Sequence, residues 1–315
     1  MLKRTSIALL ALATLLFPSA LAQDGFPSKP ITVVIPYGAG GMTDLSNRIL
    51  ATALEQRLGG RVDVVNRPGA GGYLGFSEAM RENDGHTIVA VTTDIFANTV
   101  LLDRDFTMDG VALLGSYMPQ ERVLFGHPSA PFSDFEGLIE HAAENRVRFA
   151  DGGALWAGNV VKAMAKEDGV NIVHIPFESG AEGSAALLGG HVEIGETGVG
   201  TPAWQAAKNG ELNMLAVITD GDLSAFGFDD VPNLEDLGYD HVVRMYYGWA
   251  VSPDVPEEIR ARLEAAMEDV VTDPEVVAKL EAVDLTPRFM PSDEYAEIVD
   301  RVLGEAADLQ GFIQE

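Results

Sequence analysis

The sequence predicts an α/β fold of two lobes, each a mainly parallel sheet flanked by helices, with two strands crossing between them. Three observations lead there. Short β-branched apolar runs alternate with helix-periodic segments along nearly the whole chain. His127-Pro128-Ser129-Ala130-Pro131 interrupts the alternation, which then restarts. A late apolar and aromatic run, residues 244–251, precedes a closing set of helices.

Taken in order, residues 31–35 form a β-branched strand, 36–44 a glycine-rich turn, and 45–58 a helix. Residues 62–65 read as a second strand, 74–81 as a helix, 87–91 as a third strand, and a short helix runs on from Ile95. Residues 111–116 and 122–126 are further apolar runs. After the break, Ser133 is placed to cap a helix to Glu144, with Glu136 completing a capping box. Strands at 147–150, 172–176, 192–195 and 214–218 then alternate with helices at 156–167, 179–188 and 202–209. Gly189-Gly190 supplies the left-handed stop of the second of these helices. An acidic loop follows at 220–238, and Pro256, Pro274 and Pro291 open the late helices. This order makes residues 23–125 and 249–315 one lobe and 126–248 a second, inserted lobe, with crossings near Phe125 and Gly248. Two lobes joined by two strands enclose a cleft that closes by hinge motion.

Residues 1–22 stand outside this fold. Lys3 and Arg4 precede an apolar run at 7–17, and Ala20-Leu21-Ala22 has the small-x-small cleavage pattern. Export to the periplasm with cleavage after Ala22 is expected; the apolar run is shorter than the roughly 18 residues of a membrane span. With Cys 0, neither a disulfide nor a lipidated cysteine is available. The 48 acidic residues against 21 Lys and Arg give a formal charge of −27. Such an excess argues against nucleic acid and against an anionic membrane surface as partners, and reads as a solvated exterior.

The chemistry gathers at Pro36-Tyr37-Gly38-Ala39-Gly40-Gly41-Met42-Thr43-Asp44. A glycine turn admits close backbone approach, and the helix start behind it presents unpaired N–H groups at the positive end of a dipole. That combination suits a carboxylate or a phosphate. A dinucleotide site fits poorly, because Thr43 stands where the third glycine belongs and Asn66, not an acid, ends the next strand. No Lys-Ser or Lys-Thr follows the glycines, so a mononucleotide loop is missing too. The six histidines lack paired metal spacing, and no Gly-x-Ser-x-Gly elbow occurs. No catalytic residue, metal ligand or cofactor is assigned, and a non-enzymatic binding protein is expected.

Several blocks carry a resemblance to a known family. These are Pro27-Ser28-Lys29-Pro30-Ile31, the turn at 36–44, Asn66-Arg67-Pro68-Gly69-Ala70-Gly71-Gly72, Ile175-Pro176-Phe177, Leu187-Leu188-Gly189-Gly190-His191-Val192-Glu193, and Pro253 with Val255-Pro256. In this order they resemble the Bug (TctC-like) family, the extracytoplasmic solute receptors of tripartite tricarboxylate transporters. The resemblance implies a two-lobed periplasmic-binding-protein ("Venus flytrap") fold. It further implies a monomer that captures a di- or tricarboxylate, an aromatic acid or an amino-acid-like ligand and delivers it to a two-component membrane permease.

Carried over residue by residue, the family's first binding loop implies ligand contacts from Tyr37, Ala39, Gly40, Thr43 and Asp44. The loop after the third strand adds Thr92, Thr93 and Asp94, and the opposite lobe adds Asp151, Gly152, Gly153, Trp156, Glu196 and Thr197. Asn66 to Gly72 reads as a structural support, and Tyr117, Tyr246, Tyr247 and Trp249 as packing near the crossings. Where Asp94 and Asp151 stand the family has Ser or Gly, and near Thr197-Gly198 it has Asp-Asn. Carboxylates beside a bound anion repel it unless they point away or meet a cationic part, which leaves a zwitterionic ligand open. Trp156 replaces a small polar residue and would form an aromatic wall. An exported hydrolase or isomerase, or a sensor presenting its ligand to a membrane kinase, are the alternative functions.

Overall fold

The computed structural model describes residues 25–104, 107–151, 155–177 and 180–314. Among these residues the strands form two five-stranded sheets. The first contains β1 (Ile31–Ile35), β2 (Val62–Asn66), β3 (Thr87–Thr92), β4 (Ala112–Pro119) and β10 (Tyr246–Val251), in the order β2-β1-β3-β10-β4. The second contains β5 (Arg122–Gly126), β6 (Val147–Asp151), β7 (Ile172–Pro176), β8 (Ile194–Gly198) and β9 (Asn213–Val217), in the order β7-β6-β8-β5-β9. β1 runs parallel to β2 and β3, and β6 runs parallel to β7 and β8. β10 lies antiparallel between β3 and β4, and β5 lies antiparallel between β8 and β9. Each strand that crosses between the lobes therefore takes the same place in the sheet it enters.

Helices α1 (Met42–Leu58), α2 (Tyr73–Ala79), α3 (Thr93–Leu101), α8 (Glu257–Val271), α9 (Pro274–Glu281) and α10 (Ser292–Gln314) belong with the first sheet in sequence. α4 (Phe135–Glu144), α5 (Leu155–Glu167), α6 (Gly180–Leu188) and α7 (Pro202–Lys208) belong with the second. Helices on the sheet faces explain why β1 and β3 are near-continuous apolar runs: Ile31, Val33, Ile35, Ile88, Val89, Ala90 and Val91 are all buried. α1 starts three residues before the expected 45 and turns Leu50 and Leu54 inward. It stops at Gly59, whose φ of 69° lets its N–H reach Glu55 O.

Two expectations are corrected. Asp134, not Ser133, caps α4, accepting from Gly137 N–H at 2.8 Å. Both residue types cap well, and only the backbone phase of the first turn decides between neighbours. The expected crossings near Phe125 and Gly248 also shift. All of β5 pairs in the second sheet, so the chain leaves the first sheet at Gln120 and Glu121 and re-enters it by Tyr246. The Pro-rich break at 127–131 falls between β5 and α4 rather than between lobes. At the crossing, Gln120 N–H donates to Met245 O (2.9 Å) and Pro119 pairs with Tyr246, so the two connections run side by side. The expected signal peptide, residues 1–22, lies outside the described residues.

A buried polar cluster fixes α1 to the sheet behind it. Asn47 Nδ2 donates to Tyr117 OH and to Thr43 O, both at 2.8 Å. Asn47 Oδ1 accepts from Trp249 Nε1 at 2.6 Å, and Ser46 Oγ lies 3.1 Å from Tyr117 OH. Tyr117 and Trp249 are thus packing residues of β4 and β10, as expected for side chains near the crossings. Asn47→Ala would strand a buried indole N–H and leave a small void. It is expected to lower stability by about 2–4 kcal/mol, read as a lower urea midpoint at unchanged slope.

Candidate functional site

The β1–α1 turn leaves a helix end open. Ala39, Gly40 and Gly41 are exposed, and Gly41 occupies the N-cap position in extended backbone with no side chain to cap the first turn. The first N–H groups of α1 therefore lack both intrahelical and side-chain partners. Asp44, in that first turn, faces back into the loop. Its Oδ2 accepts from Gly40 N–H (3.0 Å) and Arg48 Nε (3.0 Å). Its Oδ1 accepts from Arg48 Nη2 (2.8 Å) and Asn66 Nδ2 (3.0 Å). Burial alone would raise the pKa of Asp44, but Arg48, Gly40 N–H and Asn66 together hold it below the usual carboxylate value. The Asp44 carboxylate and the Gly40 N–H, both assigned to a ligand by the family resemblance, are thereby committed to the loop itself. Ala39 and Thr43 remain, Ala39 exposed and Thr43 buried at the helix start.

The second glycine motif supports this turn from behind, as expected. Asn66 Nδ2 also reaches Tyr37 O (3.1 Å). Gly72 adopts φ +92°, and a Cβ there would lie 3.2 Å from the Tyr37 ring and 3.1 Å from Ile95.

Tyr37 links the first loop to the next one, its OH lying 2.6 Å from Thr92 Oγ1. Thr93 takes another direction from the one expected: its Oγ1 donates to Arg244 O (2.5 Å) and accepts Tyr246 N–H (3.0 Å). It pins the second crossing to α3 and has no hydroxyl proton left for a ligand. Asp94 is buried, at 5% exposure. Asn98, one turn on, donates from Nδ2 to Asp94 Oδ2 at 3.0 Å. Asp94 Oδ1 and Asn98 Oδ1 are buried and have no hydrogen-bond partner.

Across from Asp94 stands Arg122, the first residue of β5, with its side chain 12% exposed. Its Nε donates to Glu196 Oε2 at 2.7 Å and its Nη2 lies 2.6 Å from the same oxygen. Burial pushes the Asp94 carboxyl up to about 6; the charge of Arg122 and the Asn98 hydrogen bond oppose that shift, and Glu196 adds to it. Burial likewise raises Glu196 against the pull of Arg122. Burial would lower Arg122, yet Glu196, Tyr247 and Asp94 hold it above its usual value.

On the second sheet, Thr197 is buried in β8 opposite Val123. Asp151, at the end of β6, has its Oδ2 3.1 Å from His174 Nδ1, and its charge reaches Glu196. Gly152 and Gly153 lie outside the described residues. Trp156 does not face the α1 turn: it is 1% exposed, belongs to the apolar cluster of Val242 and Leu309, and borders a separate cavity with Asp240, His241 and Glu305. Only its backbone N–H, in the first turn of α5, faces Asp94.

Of the residues expected at the site, the structure gathers Tyr37, Thr92, Asp94 and Glu196. It adds Arg122, Asn98 and His174, which sequence reasoning did not assign to the site, and brings Tyr247, read as packing near the crossings, beside them. A cation opening an otherwise apolar strand was a readable sign for Arg122, and the i, i+4 spacing of Asp94 and Asn98 for the second. Tyr247 donates to Gln120 Oε1 (2.5 Å) at the crossing. Among the described residues no group of three or more His, Asp or Glu is arranged to hold a metal.

The Asp94 environment predicts a pH dependence. Its folded-state pKa, about 6, lies above the ordinary aspartate value of 3.8, so the folded protein holds this proton more tightly than the unfolded chain. The resulting stabilisation is complete below about pH 4 and is lost as pH rises through about 6. Asp94→Asn should therefore be more stable than the parent at pH 7.5, by about 1–3 kcal/mol, and match it near pH 4 in urea titrations.

Comparison with known proteins agrees with this architecture. The profile "Tripartite tricarboxylate transporter family receptor" (TctC) matches residues 46–309. The UPF0065 protein in the gbd 5′ region of Cupriavidus necator is 29% identical over 296 residues, covering 91% of this chain and 88% of that protein. A TctC solute binding protein from Polaromonas, solved without ligand, is 26% identical with a TM-score of 0.71, covering 92% of this chain and 99% of that one. MatC from Rhodopseudomonas palustris, solved with bound malate, shares the fold with a TM-score of 0.79 at 20% identity, covering 90% of this chain and all (100%) of its own. The fold is that of the two-lobed periplasmic binding proteins, and by the extent of the profile match this chain belongs to the TctC family of tripartite tricarboxylate transporter receptors.

Proposed function

We propose that the protein is an exported, monomeric, non-enzymatic receptor. It captures a small carboxylate-bearing metabolite between its lobes and hands it to the two-component membrane permease of a tripartite tricarboxylate transporter. The observation that carries this reading is the open N-terminus of α1: an exposed glycine turn over a helix whose first N–H groups nothing caps. The malate held by MatC supports the same ligand class.

In this reading, residues 25–119 and 246–314 form one jaw and 122–243 the other. Ala39, Thr43 and the first-turn N–H groups of α1 hold a carboxylate, while Tyr37 and Thr92 border it. Closure shuts out water and strengthens hydrogen bonds to the charged group. Residues 1–22 direct export and are removed.

The test is thermal unfolding of ligand-stripped protein with C4–C6 dicarboxylates, tricarboxylates, aromatic acids and amino acids. A ligand at 100 times its Kd should add about 2.7 kcal/mol, so Tm should climb with concentration. No shift with any compound up to millimolar concentration would overturn the proposal.

A further inference from the structure

The site has a second end of opposite character. Asp94 Oδ1 and Asn98 Oδ1 are two buried acceptors on the same face of α3, and neither has a donor. The orientation of the Asn98 amide is fixed by its surroundings. Its Nδ2 faces Asp94 Oδ2 at 3.0 Å and Gly71 O at 3.5 Å, both acceptors, so its oxygen must point the other way. Exposures of 5% and 3% leave bulk water little access to either residue. A buried carboxylate oxygen and a buried amide oxygen without donors are costly to leave empty.

The charge balance agrees. Asp94 and Glu196 face a single guanidinium, Arg122, whose Nε and Nη2 both go to Glu196. Asp151 adds a further carboxylate near Glu196, and it is engaged by His174. Glu196 has a cation in contact, whereas Asp94 has the Asn98 amide on Oδ2 and the Trp156 backbone N–H facing the carboxylate, both uncharged, and its Oδ1 has no donor. An anionic group placed against Asp94 would be repelled. A primary ammonium fits: it has three donors and no acceptor, and it brings the missing charge.

Resting on the receptor reading above, we propose that the ligand is an amino acid, a small molecule bearing both a carboxylate and a primary ammonium. Its carboxylate lies at the open end of α1 and its ammonium is held by Asp94 Oδ1 and Asn98 Oδ1. The two ends of the cleft then match the two charges of a zwitterion, and a plain dicarboxylate would meet Asp94 with the wrong sign.

Matched pairs test this by isothermal titration at pH 7.5: L-aspartate against succinate, L-alanine against propionate, and 4-aminobutyrate against butyrate. The amino member of at least one pair should bind tenfold or more tightly than its partner. Whether an α-amino or the ω-amino compound wins gives the spacing of the two charges. Asp94→Asn, which is expected to fold at least as stably as the parent, should reduce that ratio to about one, chiefly by weakening the amino member. Binding of succinate or propionate at least as tight as that of the amino compounds would overturn the ammonium assignment and leave the receptor reading standing. A preference for the amino compound that survives Asp94→Asn would overturn the role of Asp94. Failure of every amino and non-amino compound here and in the wider panel would overturn both readings.

Discussion

One guanidinium, that of Arg122, stands where the two lobes meet. It sits at the start of the strand that enters the second sheet, is ion-paired to Glu196 on that sheet, and faces Asp94 on the other lobe. Removing a charge from water is costly, and only a well-placed counter-charge offsets it. Glu196 does this for Arg122. Asp94 is left with a weaker claim on the same cation, too weak to cancel the effect of burial, which raises its carboxyl to about 6. The cleft is electrostatically divided as a result: backbone N–H dipoles at the start of α1 favour an anion, and Asp94 disfavours one.

The anion-favouring turn is held in shape by side chains that bond to the turn itself. A loop with glycine at 38, 40 and 41 has much conformational freedom, and ordering it on binding would weaken affinity. Asp44 removes most of that freedom. It takes Gly40 N–H from above, Arg48 from its own helix and Asn66 from the end of β2, while Asn66 also holds Tyr37 O. Gly40 loses its N–H to this latch, and the turn gains a fixed shape. The conspicuous Thr-Asp of the sequence thus divides its labour, Asp44 shaping the turn and Thr43 standing in the first turn of the helix.

Much of the fold was legible because burial on two faces leaves a strong imprint. β1, β5 and β7 have the expected bounds, since strands covered by helices need uninterrupted β-branched and apolar side chains. The crossing was not legible. β5 satisfies either sheet by composition, and the conspicuous Pro pair at 128 and 131 marks a turn inside the second lobe. At the site, Tyr37, Thr92 and Asp94 came from the family resemblance, and the structure places them together at the carboxyl ends of β1 and β3. Arg122 was hidden by distance: its partners are 28 and 74 residues away in sequence, Asp94 before it and Glu196 after it. Thr93 and Trp156 failed for a different reason. Each sits at the right point of the chain, but helical rotation aims Thr93 at the crossing strand and Trp156 at the core.

A protein with a formal charge of −27 holds few cations, and two that are largely shielded from solvent lie at the two crossings. Arg244, just before β10, pairs with Asp220 and Glu235 on the second-lobe side and with Glu305 of α10 on the first. Arg122 is ion-paired to Glu196 on the second sheet and acts on Asp94 of the first lobe through its charge alone. Charge, as well as apolar contact, therefore spans the lobes at both connections. The Arg122–Glu196 pair is buried enough to escape most salt screening, whereas the more exposed partners of Arg244 leave that cluster open to it. Hydration is another matter. In the receptor reading, opening of the lobes would return water to Asp94 and Asn98, whose Oδ1 atoms are buried here without a donor. On that reading a closed form carries a hydration penalty that an open form escapes, and a ligand would favour closure to the extent that its own donors and charge remove that penalty.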